Sequence, residues 1–392
     1  MEQVSRAQAC RFLLWKNGLL GERRFSGKQG AVGYVHQAGC VSFDPIDLCG
    51  CSHELALLAR VKGFSREMLN QLLYQDRALL DAYDKNLCIL CTEDWPLMAF
   101  QREAFRRHMR PAVESVAAQV MQAAREKGCL SARETGGDAL ARSALESLFF
   151  RGDLIVHHQE NGVRYYAPAE SCLPEMLLNA PSPFPNDQER LLWQVERRIG
   201  AVGLLWNAPS DAWLGINGLT AQNRQFAFQL LMNRGRIVPV QTEEISLPLF
   251  ILSRDLPALK ACAVPISVEK RARLLPPLDA MLWDRRLIAA LFGFSYKWEM
   301  YTPPEQQRYG SYVLPVLYGE GFLGRVEPLA NRETGTLDVR AFWPEADARI
   351  TDRFLWAMED ELALLSRILG LKGLRWQKDW MKPAEQANFV NH

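Results

Sequence analysis

Leu148-Phe149-Phe150-Arg151-Gly152-Asp153-Leu154-Ile155-Val156 and Leu231-Met232-Asn233-Arg234-Gly235-Arg236-Ile237-Val238-Pro239 are two copies of one pattern. In each, an apolar stretch of helical character meets an arginine and a glycine, and a run suited to a strand follows. Glycine is favoured where a helix ends, and β-branched residues after it favour a strand. Each copy therefore closes an amphipathic helix and opens a short hairpin. That junction is the mark of a winged helix, and its repetition predicts a tandem array of them. Such modules dock chiefly on nucleic acid, but they also serve as plain protein–protein units. The repeat narrows the partner without fixing it.

Around the first copy, Pro111 heads a helix over residues 112–127 that Gly128 stops. Residues 131–134 and a helix over 138–151 follow, then wing strands at 154–159 and 163–166 joined by Asn161-Gly162, a strong two-residue hairpin turn. Upstream, Phe12, Leu13, Trp15 and Leu19 recur at helical spacing within residues 7–20, with Gly18 and Gly21 weakening the end. A second helical run covers 66–80, and a wing is expected within 82–91. Pro181-Ser182-Pro183-Phe184-Pro185 is a linker, because alternating prolines favour extended backbone. Helices over 187–199 and 221–234 frame the second copy. From Pro276 the texture changes to strands at 295–301, 310–318, 322–329 and 336–342, closed by a helix over 352–369. Short alternating strands of this kind predict a small antiparallel barrel or sheet. The expected fold class is α+β, with winged helices at 1–110, 111–180 and 186–268 and the barrel with its terminal helix at 269–392.

The 392 residues carry a net charge of +1, so basicity is local rather than global. Arg102, Arg106, Arg107, His108 and Arg110 crowd one segment, and Arg271, Arg273, Arg285 and Arg286 gather in another. Either cluster is a DNA grip or a solvated helix face. Nine cysteines, an odd number scattered along the chain, fit reduced thiols in a cytoplasmic protein. Cys88-Ile89-Leu90-Cys91 is a C-x-x-C in an apolar segment, and Cys49 and Cys51 do not complete a spaced second pair, so core thiols are favoured over zinc. No metal and no cofactor are expected. No apolar run reaches bilayer-spanning length, so no membrane partner is expected. Gly-rich phosphate loops, nucleotide-binding fingerprints and Ser/His/Asp strings are absent.

The runs Leu275-Pro276-Pro277-Leu278-Asp279-Ala280-Met281-Leu282-Trp283-Asp284-Arg285, Phe294-Ser295-Tyr296-Lys297-Trp298-Glu299-Met300-Tyr301-Thr302-Pro303, Tyr309-Gly310-Ser311-Tyr312-Val313-Leu314-Pro315 and Gly324-Arg325-Val326-Glu327 resemble the C-terminal signature of the AlkZ/YcaQ-like winged-helix DNA glycosylases. The opening Ala7-Gln8-Ala9-Cys10-Arg11 helix also fits. The resemblance implies three tandem winged helices plus a β-barrel in a C-shaped clamp, with base-excision activity on double-stranded DNA that contains alkylated or crosslinked bases; a monomer is expected. In that family a Gln-apolar-Gln or Gln-apolar-Asp motif and an aromatic-Ala-His-Glu wing carry catalysis. The matching positions here read Ser42-Phe43-Asp44 and Tyr83-Asp84-Lys85-Asn86, so the carboxylate survives while the Gln and the wing His do not.

A carboxylate beside an oxocarbenium-like sugar stabilises the cation and holds water. Asp44 is the candidate for that role, with Ser42 on the same side of an extended segment to help place water or phosphate. The alternative for Ser-Phe-Asp-Pro is a turn or a cap on a helix after Pro45. His53 is a supporting candidate or a structural histidine. Lys85 is an amine nucleophile or a phosphate contact. Arg102, Arg106 and Arg107 are the expected DNA grip. Trp283 and Tyr301 have the look of stacking platforms but are expected in the core, and Asp279 and Asp284 are expected to be structural. Three functions remain: a glycosylase excising bulky or crosslinked N7-alkylated purines, a catalytically weak relative that binds DNA or the lesion, and a tandem winged-helix transcriptional regulator.

Overall fold

The computed structural model describes residues 2–265 and 269–383. The domain boundary expected at 268 and the end of the chain from 384 lie outside the described residues. The chain packs as two units, one combining Met1–Ser65 with Leu191–His392 and the other comprising Arg66–Arg190.

The paired pattern becomes one repeated hydrogen-bond motif. At the first copy, Gly152 N–H donates to Phe149 O at 3.0 Å and Asp153 N–H to Leu148 O at 2.9 Å. At the second, Gly235 N–H donates to Met232 O at 2.9 Å and Arg236 N–H to Leu231 O at 2.9 Å. These are Schellman closures, which need left-handed backbone at the glycine. Gly152 has φ 77° and Gly235 φ 64°. A Cβ at Gly152 would also meet Arg102 Cδ at 2.3 Å, so no other residue fits there without a shift.

Both copies share a connectivity. In the unit Arg66–Arg190, the helix Pro111–Lys127 leads to a two-residue strand, Leu130–Ser131, and then to the helix Ala139–Arg151 and the hairpin Leu154–Glu160/Val163–Pro168. The short strand pairs antiparallel with the outgoing hairpin strand. The helix Asp187–Val202, whose first turn precedes the division at Leu191, leads in the other unit to the strand Leu205–Trp206, the helix Ala221–Asn233 and the hairpin Ile237–Thr242/Leu249–Leu252, which repeat the order. Its short strand again joins the outgoing hairpin strand. Here Glu2–Val4 adds a fourth strand, parallel to Ile237–Thr242, that the sequence did not announce.

A division at 110/111 does not appear as a break in packing. The helix Ala99–Arg107 lies against Ala139–Arg151, with Phe105 stacked on Phe150 at 4.8 Å and Tyr83 edge-on to Phe150 at 5.7 Å. Aromatic burial of this kind continues the core across the expected boundary. The expected helix over 66–80 stops early. It is α-helical over Arg66–Asn70 and π-helical over Gln71–Gln75, and Arg77 then takes a left-handed φ of 53°.

The C-terminal strands form one sheet in the order Ala272–Leu274, Leu314–Tyr318, Gly321–Asn331, Thr336–Pro344, Gly373–Trp376. The last pair is parallel, so the sheet is mixed rather than antiparallel. The helix Asp352–Ile368 packs against both end strands. Residues 295–301 are not a strand. Tyr296 and the preceding Phe294 go into the core instead: Phe294 stacks on Phe322 at 4.4 Å, and Tyr296 Oη donates to Val313 O at 2.9 Å. The loop's backbone is satisfied by a side chain, Glu299 accepting from Arg308 N–H and Tyr309 N–H at 3.0 Å each.

Candidate active site

The helix Gly27–Ala38 ends on Gly39, and the strand Val41–Ser42 follows. Arg197 and Arg198 of the helix Asp187–Val202 fix this entry, donating to Gly39 O and to Cys40 Sγ respectively. The chain then runs without regular structure to the helix Ser52–Leu58. That loop is tied to the C-terminal sheet at two points. Ala330 N–H donates to Leu48 O at 2.7 Å, and Arg332 pairs with Asp47 at 2.6 Å.

Asp44 is buried in this loop. Its Oδ1 accepts from Ile46 N–H at 3.1 Å, an Asx turn rather than the helix cap that Pro45 suggested, since no helix starts there. Its Oδ2 has no hydrogen-bond partner among the described residues, and neither does the buried Ser42 Oγ. Burial raises the Asp44 pKa above the ordinary aspartate value, partly offset by the Ile46 N–H. Phe43, between them, stacks on the His53 ring at 4.6 Å. His53 is itself buried. Glu54 accepts from Cys51 N–H at 3.1 Å, which caps the helix that carries His53.

Tyr312 joins this group, a residue quoted in the signature but given no role from sequence. It is buried, and its hydroxyl has no hydrogen-bond partner among the described residues. Its pKa is pushed up first by burial, then by the charges of Cys49 and Asp44. Trp298 packs edge-on to it at 6.3 Å. Three buried, unpaired oxygen atoms, Ser42 Oγ, Asp44 Oδ2 and Tyr312 Oη, therefore belong to one neighbourhood. Unsatisfied buried polar groups cost free energy, so such a set points to something that is bound there.

The other candidates are distributed differently. Lys85 sits half-buried in the turn between the strands Leu79–Tyr83 and Leu87–Cys91, in the unit Arg66–Arg190. Arg102 is not a surface grip. It lies over the Trp95 ring at 3.8 Å and donates to Trp95 O at 2.8 Å, and burial followed by the Arg106 charge holds its pKa down at about 10. Arg106 and Arg107 are exposed. They share Glu103, at 3.1 and 3.0 Å, and Arg106 also reaches Asp153 at 3.2 Å. The second basic cluster disperses: Arg273 is buried and donates to Gly21 O at 2.8 Å.

Asp279 and Asp284 are structural, as expected. Asp284 caps Leu287 N–H at 2.9 Å and accepts from Trp206 Nε1 at 2.7 Å, while Asp279 pairs with Arg60. Trp283 is core. Tyr301 departs from expectation, being 81% exposed beside Trp298 at a ring separation of 5.5 Å. Cys88 and Cys91 are buried three apart on one strand, so their side chains point to opposite faces and cannot share an ion. Among the described residues no helix is long and apolar enough to cross a membrane.

The family model described as DNA glycosylase AlkZ-like matches residues 35–368. The solved structure of Streptomyces sahachiroi DNA glycosylase AlkZ resembles this fold with a TM-score of 0.63 at 18% identity, covering 96% of this chain and 100% of that one. The match spans the Asp44 loop, the unit Arg66–Arg190 and the first four strands of the C-terminal sheet: the chain belongs to the AlkZ-like DNA glycosylase family.

Proposed function

We propose that this protein hydrolyses the N-glycosidic bond of bulky or crosslinked N7-alkylated purines in DNA, with Asp44 as the charged group at the sugar and Ser42 helping to place water. The observation that carries this reading is the buried Asp44 Oδ2, which among the described residues has no hydrogen-bond partner, together with the equally unpaired hydroxyl of Ser42 two positions before it. Alkylation at N7 makes the purine cationic and a good leaving group. The N9–C1′ bond breaks with its electrons going to the base, which leaves neutral, and the sugar becomes oxocarbenium-like. A preorganised carboxylate favours that cation. Water then bonds to C1′ and gives its proton to Asp44.

Within the same reading, the shared helix–strand–helix–hairpin order supports tandem winged helices; the C-terminal sheet is assigned as the β-barrel part, and the protein is proposed to act as a monomer in the cytoplasm. The exposed Tyr301 offers a face on which a base can stack. Incubation with DNA bearing N7-alkylguanine, followed by heating in base, reads excision as strand breaks. Intact DNA after prolonged incubation with folded protein would leave the lesion-binding alternative in its place.

Phosphate contacts make DNA binding salt-dependent, each neutralised phosphate adding a slope of about −0.9 in log K against log salt. Arg106→Glu and Arg107→Glu are expected to weaken binding to all sequences alike and flatten that slope. Arg102 is left out of this set, because its substitution would disturb the Trp95 packing instead. Affinities measured from low to physiological salt test this, and a slope unchanged by both reversals would remove these arginines from the grip.

A further inference from the structure

Cys129, His157 and His158 take no part in the proposed chemistry, yet one ligand atom from each lies within 4.8 Å of the others. All three belong to the unit Arg66–Arg190. Neighbouring residues on a regular strand point to opposite faces, so two consecutive histidines should diverge. Here they do not. The pairing of Leu154–Glu160 with Val163–Pro168 shifts register between Val156 and His158, which makes His157 the extra residue of a β-bulge. A bulge re-aims side chains, and the two Nδ1 atoms end 2.8 Å apart.

The bulge is held in place from both sides. Arg77 donates to Val156 O at 2.8 Å and to His157 O at 2.9 Å, and it does so from a left-handed φ of 53°, a conformation that costs free energy in a non-glycine residue. The His158 ring lies flat on Tyr165 at 4.4 Å, 7° from parallel. Cys129 arrives from the opposite side of the sheet. It precedes the strand Leu130–Ser131, and Leu130 and Val156 both pair with Tyr166. Thiol and imidazoles are thus brought to the same level of one three-stranded sheet.

A thiolate with two imidazoles suits Zn2+, whereas Mg2+ and Ca2+ require oxygen ligands. Tetrahedral zinc separates its ligand atoms by roughly 3.3–3.8 Å, given bonds of about 2.0–2.3 Å. Small rotations of the three side chains reach that range. We propose that Cys129, His157 and His158 form a Zn2+ site with water in the fourth position, joining the end of the helix Pro111–Lys127 to the hairpin Leu154–Glu160/Val163–Pro168.

The test uses the full chain, reduced, stripped with chelator and titrated with Zn2+ against a chromophoric competitor, and in parallel with Co2+ followed by absorbance. About one Zn2+ per chain is expected, and the Co2+ form should show a thiolate charge-transfer band. Cys129→Ser should abolish that band. His157→Gln, at an exposed position, should weaken Zn2+ by more than the roughly 10–100-fold that loss of a mere supporting partner costs. Circular dichroism establishes that the variants are folded. Absence of competitive Zn2+ binding overturns the proposal, with the histidine pair then an ordinary hydrogen bond. Binding that survives both substitutions also overturns it, since the ion would then sit on other thiols.

Discussion

Replacing Asp44 by Asn is expected to reduce excision of an N7-alkylguanine about a hundred- to thousandfold, the effect of removing one preorganised electrostatic partner worth about 2.7–4 kcal/mol. The amide keeps the size of the side chain and can still accept from Ile46 N–H, but it cannot balance a cationic sugar. Ser42→Ala should cost less, about tenfold, if the hydroxyl only helps place water. DNA affinity should hardly change in either variant. Single-turnover excision with saturating protein separates these effects from binding, and a fully active Asp44→Asn protein would end the assignment.

The raised Asp44 pKa gives this variant a second signature. A carboxyl with a folded pKa above its unfolded value contributes stability that is fully present below the unfolded pKa and is lost as pH rises through the folded pKa. At neutral pH the wild type carries that loss, while Asn never ionises. The variant should therefore melt no lower than wild type at pH 7, and its relative stability should fall on acidification. Wild-type activity should decline towards acid with a midpoint above the ordinary aspartate value, as Asp44 protonates. A lower melting temperature at pH 7 with retained activity would make Asp44 a structural turn residue.

The largest loss of stability is expected at Asp279. Its carboxylate meets Arg60 through two bonds, of 2.6 and 2.7 Å, and both side chains have 0% exposure. Arg60 also donates to Asn17 O at 2.8 Å and Ala56 O at 3.0 Å and lies over Tyr34 at 4.6 Å. Asp279→Ala leaves this guanidinium buried without its counter-charge and should destabilise the protein by about 3–5 kcal/mol. The double variant Arg60→Met/Asp279→Leu should recover much of that, because an apolar pair leaves no charge behind. It also loses the Met281 N–H cap, at 3.0 Å, so recovery will be incomplete. Urea unfolding monitored by fluorescence tests both. An Asp279→Ala midpoint equal to wild type would show that the pair does not hold Met1–Ser65 to Leu191–His392.

Local physics made much of the fold legible. Gly152 and Gly235 closed their helices as the repeated pattern required, and Asn161-Gly162 turned its hairpin, with φ 49° and 75°. The structural roles of Asp279 and Asp284 were read correctly, and the family was carried by the runs around them. These features depend on neighbours a few residues away, which the sequence displays directly.

Other features depended on packing between distant segments. Residues 295–301 have a strand-like composition, but Tyr296 and the preceding Phe294 are taken up by the core, against Phe322 and Val313, rather than by a ladder. Arg102 looked like its neighbours Arg106 and Arg107 until Trp95 covered it. Tyr301 looked like a core aromatic and is exposed. Tyr312 reaches the Asp44 neighbourhood across more than 260 positions of chain, and the bulge that turns His157 and His158 to one side comes from strand register. Where helices stop, where hairpins turn and which family the chain resembles were all legible along the chain, because those are short-range consequences of backbone freedom and side-chain periodicity. Which polar groups are buried without partners among the described residues, and which arginines remain at the surface, follows from how distant segments pack, since burial and pairing belong to contacts that no local window contains.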